Sequence, residues 1–259
     1  MISIQEIDGR RIACWVNNGD FLPGRRTLVF IHGSGGDHTN WIRQYTPLKG
    51  IFNIVAIDLP GHGRSEGPGE QAVPAYVEWV KRTLDKLAVK KPVLIGHSLG
   101  AAICLSFAIR YGEAASAVVP VGGGLRMPVN PAILDGLKED PALVIALAAK
   151  LSVAKANRER LSGLLSEELT RVDPVILHGD FSACSLLDLT EDIGGIRLPV
   201  LAICGAEDKM TPPALSEAIR DRVAGARLEL IGGTGHFVMR EDPEAFNAAL
   251  ADFVNSLPA

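Results

Sequence analysis

Two stretches of this chain, Leu28-Val29-Phe30-Ile31 and Val200-Leu201-Ala202-Ile203, are apolar at every position. Successive strand residues face opposite sides of a sheet, so a strand apolar on both sides must be covered on both sides. That is the condition of a parallel strand between two layers of helices. These runs extend to candidate strands Thr27 to Ile31 and Val200 to Cys204, and six more follow the pattern: Ile2 to Ile7, Arg11 to Val16, Asn53 to Ile57, Pro92 to Ile95, Val118 to Val121 and Arg227 to Ile231. Between the later strands lie segments of helical period at Pro74 to Leu87, Leu99 to Tyr111, Pro212 to Val223 and Pro243 to Leu257. The alternation predicts an α/β protein with an eight-stranded, mostly parallel sheet and helices on both faces. The first two strands alternate polar and apolar residues around Asp8-Gly9, which predicts an antiparallel hairpin at one edge. Thr211 and Asp242, each before a proline, are expected to cap the helices that follow.

The interval from Leu125 to Gly195 breaks the alternation. It is punctuated by Pro128, Pro131, Pro141 and Pro174 and is rich in Leu, Ala, Glu and Arg at helical spacing. A chain of 259 residues has room for one large core plus an inserted piece. The predicted division is a core domain of residues 1–124 and 196–259 with a helical insertion at 125–195. Within the insertion, Leu143, Leu147 and Leu151 form one stripe and Leu161, Leu164, Leu165 and Leu169 another. Both are expected to pack on each other and on the sheet domain.

Charge and cysteine content exclude several functions. Lys plus Arg total 26 against 30 Asp plus Glu, a net charge of -4, and no basic run would track phosphates, so nucleic acid is not an expected partner. No apolar stretch approaches the roughly 18 residues of a membrane span. Met1 to Trp15 lacks the basic start and apolar core of an export signal. Cys14, Cys104, Cys184 and Cys204 make no Cys-x-x-Cys pair and read as buried, reduced thiols of a cytoplasmic protein. Composition sets no oligomeric state.

The chemistry is concentrated in Val93-Leu94-Ile95-Gly96-His97-Ser98-Leu99-Gly100, an apolar strand running into Gly-x-Ser-x-Gly and then a helix. Such a sharp turn exposes the serine hydroxyl above the sheet. A serine needs a neighbouring base, and the base needs a carboxylate to fix its tautomer. Asp208 follows the strand ending at Cys204, and His236 follows the last strand in Gly232-Gly233-Thr234-Gly235-His236. Strand carboxyl ends converge on one edge of an α/β sheet, so Ser98, Asp208 and His236 are expected to meet there. Phe30-Ile31-His32-Gly33-Ser34-Gly35-Gly36 ends another strand, and the backbone amides of Ser34 and Leu99 are the expected oxyanion donors.

Together with Asp58-Leu59-Pro60-Gly61-His62-Gly63-Arg64-Ser65, Gly205-Ala206-Glu207-Asp208 and Gly235-His236-Phe237, these segments resemble the α/β-hydrolase fold family over nearly the whole chain. The resemblance implies that residues 125–195 form a helical cap over the site. Serine at position 98 departs from the aspartate of the family's dehalogenases and epoxide hydrolases.

The expected function is cofactor-independent, metal-independent serine hydrolysis of a small-molecule carboxylic ester with a small to medium apolar acyl group. Ser98 is the nucleophile, His236 the base, Asp208 the acid, and Met127 and Phe237 are candidate substrate contacts. General-base catalysis needs neutral imidazole, so activity is expected to fall on acidification. Carbon-carbon bond hydrolysis of a ring-cleavage product is the competing reading, although its practitioners often carry Gly-Pro-Gly in the oxyanion turn and Asn before the nucleophile, where this chain has Gly35-Gly36 and His97. A slow-turnover small-molecule receptor on the same scaffold is a third. His97 and His32 are expected to pack, Asp58 and Arg64 to hold their turn, and Asp37, His32 and His38 match no zinc spacing.

Overall fold

The computed structural model describes residues 1–17 and 21–258. Among them, eight strands form one sheet: β1 (Ile2–Ile7), β2 (Arg10–Val16), β3 (Thr27–Ile31), β4 (Asn53–Ile57), β5 (Val93–His97), β6 (Ala117–Val121), β7 (Leu201–Gly205) and β8 (Arg227–Ile231). Their order is β1-β2-β4-β3-β5-β6-β7-β8. β1 and β2 pair antiparallel at the edge, β2 joins β4 antiparallel, and every later pairing is parallel.

The continuous apolar strands have the two-sided burial that their sequence demands. Leu28 and Phe30 enter one core cluster, while Val29 and Ile31 enter the other. The first face is covered by α1 (Ile42–Leu48) and α10 (Pro243–Ser256), through Tyr45, Leu48, Phe246, Leu250 and Phe253. The second is covered by α2 (Val73–Lys86), α3 (Leu99–Tyr111) and α8 (Pro213–Arg222), through Val77, Val80, Ile103, Phe107 and Ile219. Each such aliphatic or aromatic side chain contributes roughly 1.5–3 kcal/mol by leaving water.

Between β6 and β7 lie α4 (Pro131–Glu139), α5 (Pro141–Leu151), α6 (Arg158–Thr170) and α7 (Pro174–Ser185). Three of them start alike. The side chains of Asn130, Asp140 and Asp173 accept backbone N–H groups at the starts of α4, α5 and α7, and the next residue is proline. Asp242 caps α10 in the same way, accepting from Ala245 N at 3.0 Å. Thr211 does not cap α8, which starts at Pro213 with Pro212 in the cap position. Its hydroxyl is committed elsewhere.

The leucine stripes of this segment need correction. Leu143 and Leu147 are 66% and 51% exposed and Leu164 is 50% exposed, while Ile145, Ala149, Leu161 and Leu165 are buried. α5 is apolar around most of its circumference, so periodicity alone does not identify its inner face.

Candidate active site

β3 and β5 are adjacent, yet the chain passes from β3 outward to β4 before returning to β5. The carboxyl ends of β3 and β5 therefore flank the switch point of the sheet, where a crevice opens in folds of this kind. The Ser34 turn leaves β3 and the Ser98 turn leaves β5. Asp208 follows β7, and His236 follows β8.

Ser98 sits at φ 54° and ψ -111°, a left-handed backbone that a serine adopts only when its surroundings impose it. The imposition is visible in the glycines around it. A Cβ on Gly96 would lie 2.0 Å from the Gly100 carbonyl oxygen, and one on Gly100 would lie 2.3 Å from that of Ile31. Strand and helix can close this tightly only without side chains at both positions. The Ser98 amide donates to Val121 O at 2.9 Å, tying the turn to the end of β6.

His236 Nδ1 lies 2.8 Å from Asp208 Oδ2. Asp208 is otherwise saturated: Oδ1 accepts from Met210 N at 2.8 Å and Thr211 N at 2.9 Å, and Oδ2 is 2.8 Å from Thr211 Oγ1. That hydroxyl also reaches Gly122 O at 2.9 Å, which explains why Thr211 is lost to helix capping. Burial raises the Asp208 carboxyl, but the charge and N–H of His236 and the Thr211 donors outweigh it and hold the group below the usual aspartate range. An ionised carboxylate on Nδ1 leaves Nε2 as the ring's basic nitrogen.

The His236 loop is held by its backbone as well. His97 Nε2 donates to His236 O at 3.0 Å, and burial beside His236 keeps the His97 imidazole far below its ordinary value and neutral. His236 N donates to Ser152 O, at the end of α5, at 2.7 Å. Glu241, at the end of α9 (Val238–Glu241), accepts from Gly235 N at 2.8 Å, Ala154 N at 2.9 Å and Asn157 Nδ2 at 2.9 Å.

On the opposite side, Gly33 lies against the Ser98 turn, since a Cβ there would sit 3.1 Å from Ser98 Cβ. The Ser34 and Leu99 amides donate to no other described residue. His32 Nδ1 lies 2.8 Å from Gly33 O, and Leu59 N donates to His32 Nε2 at 3.0 Å. Burial and the neighbouring His62 push His32 down to about 4, so it is a neutral Nδ1–H tautomer. Gly35 N donates to Asp180 Oδ2 at 2.9 Å. Asp180, on α7, also takes His62 Nε2 at 2.9 Å and the Tyr76 hydroxyl at 2.6 Å, entirely out of solvent.

Phe237 is buried with its ring 4.8 Å from that of His97. Met127 is buried in the core cluster that also holds Leu125, Leu187 and Leu189. Asp37, His38 and Asp58 bring ligand-type atoms within 4.8 Å of one another. Hydrogen bonds account for that closeness: Asp58 accepts from His38 N and Nδ1 and from Arg64 N, and Asp37 accepts from Thr39 N. All four cysteines are buried and free, and burial pushes the Cys184 and Cys204 thiols up to about 12. Among the described residues no helix is long and apolar enough to cross a membrane.

Asp180, Tyr76, Ser152 and Glu241 lie outside every motif, while His62 stands inside the Asp58 to Ser65 segment with no role of its own and Thr211 reads only as a helix cap. For Asp180 the available signal was a carboxylate between Gly179 and Phe181 in a largely apolar helix.

Comparison with known proteins agrees with this architecture. The sequence profile described as "Alpha/beta hydrolase family" matches residues 28–249. The 2-hydroxy-6-oxononadienedioate/2-hydroxy-6-oxononatrienedioate hydrolase of Paraburkholderia phymatum is 27% identical, over 92% of this chain and 90% of that protein. A thermophilic esterase of known structure is 32% identical with a TM-score of 0.85, over 98% of this chain and 97% of that one. The enol-lactonase of Burkholderia xenovorans LB400 superposes with a TM-score of 0.90 over 98% of this chain and 100% of that one; at 21% identity this is a likeness of fold.

Proposed function

Since this chain belongs to the alpha/beta hydrolase family, we propose that it is a cytoplasmic serine hydrolase that cleaves carboxylic esters of small to medium apolar acyl groups. The observation that carries the reading is the strained Ser98 turn beside a His236–Asp208 pair 2.8 Å apart, with the Ser34 and Leu99 amides engaged by no described residue. Ser98 Oγ attacks the ester carbonyl while His236 Nε2 takes its proton. The Ser34 and Leu99 amides hold the resulting oxyanion. Collapse of the tetrahedral adduct breaks the bond to the alcohol, which leaves with the proton from His236. Water then attacks the acyl-enzyme by the same route, returning Ser98 and releasing the acid.

The inserted helices act as the cap in this reading, with Met127 and Phe237 as candidate substrate contacts. Their aliphatic side chains reach the Ser34 turn, Leu169 Cδ2 and Leu177 Cδ1 lying 2.9 and 3.0 Å from where a Cβ on Gly35 would sit, and apolar surroundings there support an apolar acyl group.

Carbon-carbon bond hydrolysis is the second reading, favoured by the Paraburkholderia relative. A substrate named as a dioate carries two carboxylates. Arg240, whose guanidinium lies 5.8 Å from the Phe237 ring centroid, already donates from both terminal nitrogens to Glu168, at 2.6 and 3.0 Å. That spent cation supports the uncharged ester.

The test is turnover of p-nitrophenyl esters from acetyl to dodecanoyl by wild type and Ser98→Ala. Wild type is expected to prefer the shorter acyl groups, and Ser98→Ala to lose about 10⁴-fold or more in kcat. Failure on every ester, with turnover of a ring-cleavage dienol, would replace the ester reading by the second.

A further inference from the structure

The oxyanion turn depends on a residue outside every motif of the chain. The peptide plane that carries the Ser34 N–H has its oxygen on Gly33, and that oxygen is fixed by His32 Nδ1 at 2.8 Å and Gly36 N at 3.0 Å. The next plane carries the Gly35 N–H, which is held by Asp180 Oδ2 at 2.9 Å. With both planes pinned, the backbone angles of Ser34 between them are set, and so is the direction of its amide. The first hold is local. The second crosses 145 positions to α7, one of the inserted helices.

A buried carboxylate beside an oxyanion hole would oppose the charge that forms there. His62 answers that objection. Its Nε2 lies 2.9 Å from Asp180 Oδ2 and its Nδ1 lies 3.0 Å from Pro60 O, so both ring nitrogens face acceptors and both must carry protons. The ring is an imidazolium, and the pair is electrically neutral. Tyr76 satisfies the remaining oxygen of Asp180 at 2.6 Å. What is left toward the turn is a strong acceptor with no net charge.

We propose that Asp180 is a positioning residue of the oxyanion hole: through the Gly35 amide it sets the Ser34 donor, and because α7 carries it, the hole is complete only while the inserted helices are docked on the core. The proposal rests on the hydrolase reading above and gives the cap a share in catalysis beyond shaping a pocket. His62 is the counter-ion that makes the arrangement compatible with an anionic transition state.

The experiment compares wild type, Ser98→Ala and Asp180→Asn with p-nitrophenyl butyrate and with an alkyl trifluoromethyl ketone, whose reversible adduct with Ser98 places an oxyanion in the hole. Asp180→Asn is expected to lower kcat about 10²-fold, the scale of losing one oxyanion donor. KM should stay within about threefold, with the ketone Ki rising by the factor that kcat/KM falls. A helix-packing role alone would leave kcat and the ketone Ki of the folded fraction unchanged, or would move KM, and either result overturns the proposal. If Asp180→Asn does not fold, Asp180→Glu keeps a carboxylate for His62 while its longer side chain moves the acceptor off the Gly35 amide. It should lower kcat about tenfold or more with the ketone Ki in step, and an unchanged kcat and Ki there overturns the proposal as well. Wild type without ester turnover, or Ser98→Ala as active as wild type, defeats the hydrolase reading and this proposal with it. Normal Ser98-dependent turnover with Asp180→Asn at the wild-type kcat defeats this proposal alone.

Discussion

Two buried carboxylates join the inserted helices to the two halves of the site, and they do so in opposite ways. Asp180 belongs to the insertion and reaches into the core, whereas Glu241 belongs to the core and reaches out to Ala154 and Asn157. Asp180 is neutralised by His62, but all three donors on Glu241 are uncharged. The loops they hold differ as well. The His236 loop has further restraints, among them His97, Ser152 and Asp208, so Glu241 shares its task. The Gly35 amide has Asp180 alone among the described residues. An interaction matters to catalysis when nothing else does the same work, whatever its contribution to stability.

The largest effect expected from this comparison is on stability at the charged clasp. His62→Gln removes one partner of a fully buried ion pair and leaves the Asp180 carboxylate without its cation. Breaking such a pair costs about 3–5 kcal/mol. The loss should appear as a lower urea midpoint with little change in slope, and kcat should fall with it. A variant as stable as wild type would show that the charge on His62 contributes nothing to docking α7.

At the other clasp, Glu241→Ala leaves the buried amides of Gly235 and Ala154 without an acceptor, for a cost of about 1–3 kcal/mol. Because His97, Ser152 and Asp208 still hold the His236 loop, kcat should fall less than about tenfold while urea stability drops. A loss of kcat as large as that of Asp180→Asn would erase the distinction between the two clasps.

The parts legible in the sequence are those written in contiguous residues. β3 and β7 announce themselves because burial on both faces leaves no polar residue from Leu28 to Ile31 or from Leu201 to Ile203, and the Ser98 turn does so because glycines at 96 and 100 have a steric duty on either side of it. Asp208 and His236 follow from strand ends. The clasps are illegible for the opposite reason. Asp180 meets Tyr76 across 104 positions and Gly35 across 145, and Glu241 meets Ala154 across 87, so no local pattern contains both partners. Thr211 reads as a helix cap because threonine before proline satisfies that local rule. Its hydroxyl instead meets Asp208 and Gly122, a choice that tertiary packing makes. The α5 leucines misled for a third reason, since a helix apolar nearly all round carries no record of which face the core claims.

The smallest effect separates the clasps by pH. Burial raises the Glu241 carboxyl above its ordinary value of 4.5, and its uncharged donors only partly offset that. Burial lowers His62, but Asp180 and the Pro60 carbonyl outweigh it and leave the imidazole above its ordinary 6.5. In both cases the folded state binds the proton more tightly than the unfolded chain, so each contribution is complete below the ordinary value and is lost as pH rises through the folded one. The windows differ: Glu241 begins to lose stability above pH 4.5, His62 only above pH 6.5. Asp58 and Asp208 are shifted down and tilt the profile the other way at acid pH, so differences between variants, not the wild-type curve, isolate each clasp. The unfolding free energy of wild type minus that of Glu241→Gln should begin to fall above pH 4.5, by at most about 1.4 kcal/mol per pH unit. Wild type minus His62→Gln should not fall there and should begin to fall only above 6.5. Two differences falling through the same window would mean that Glu241 and His62 titrate as one coupled unit, and the insertion would then be docked by a single device rather than two.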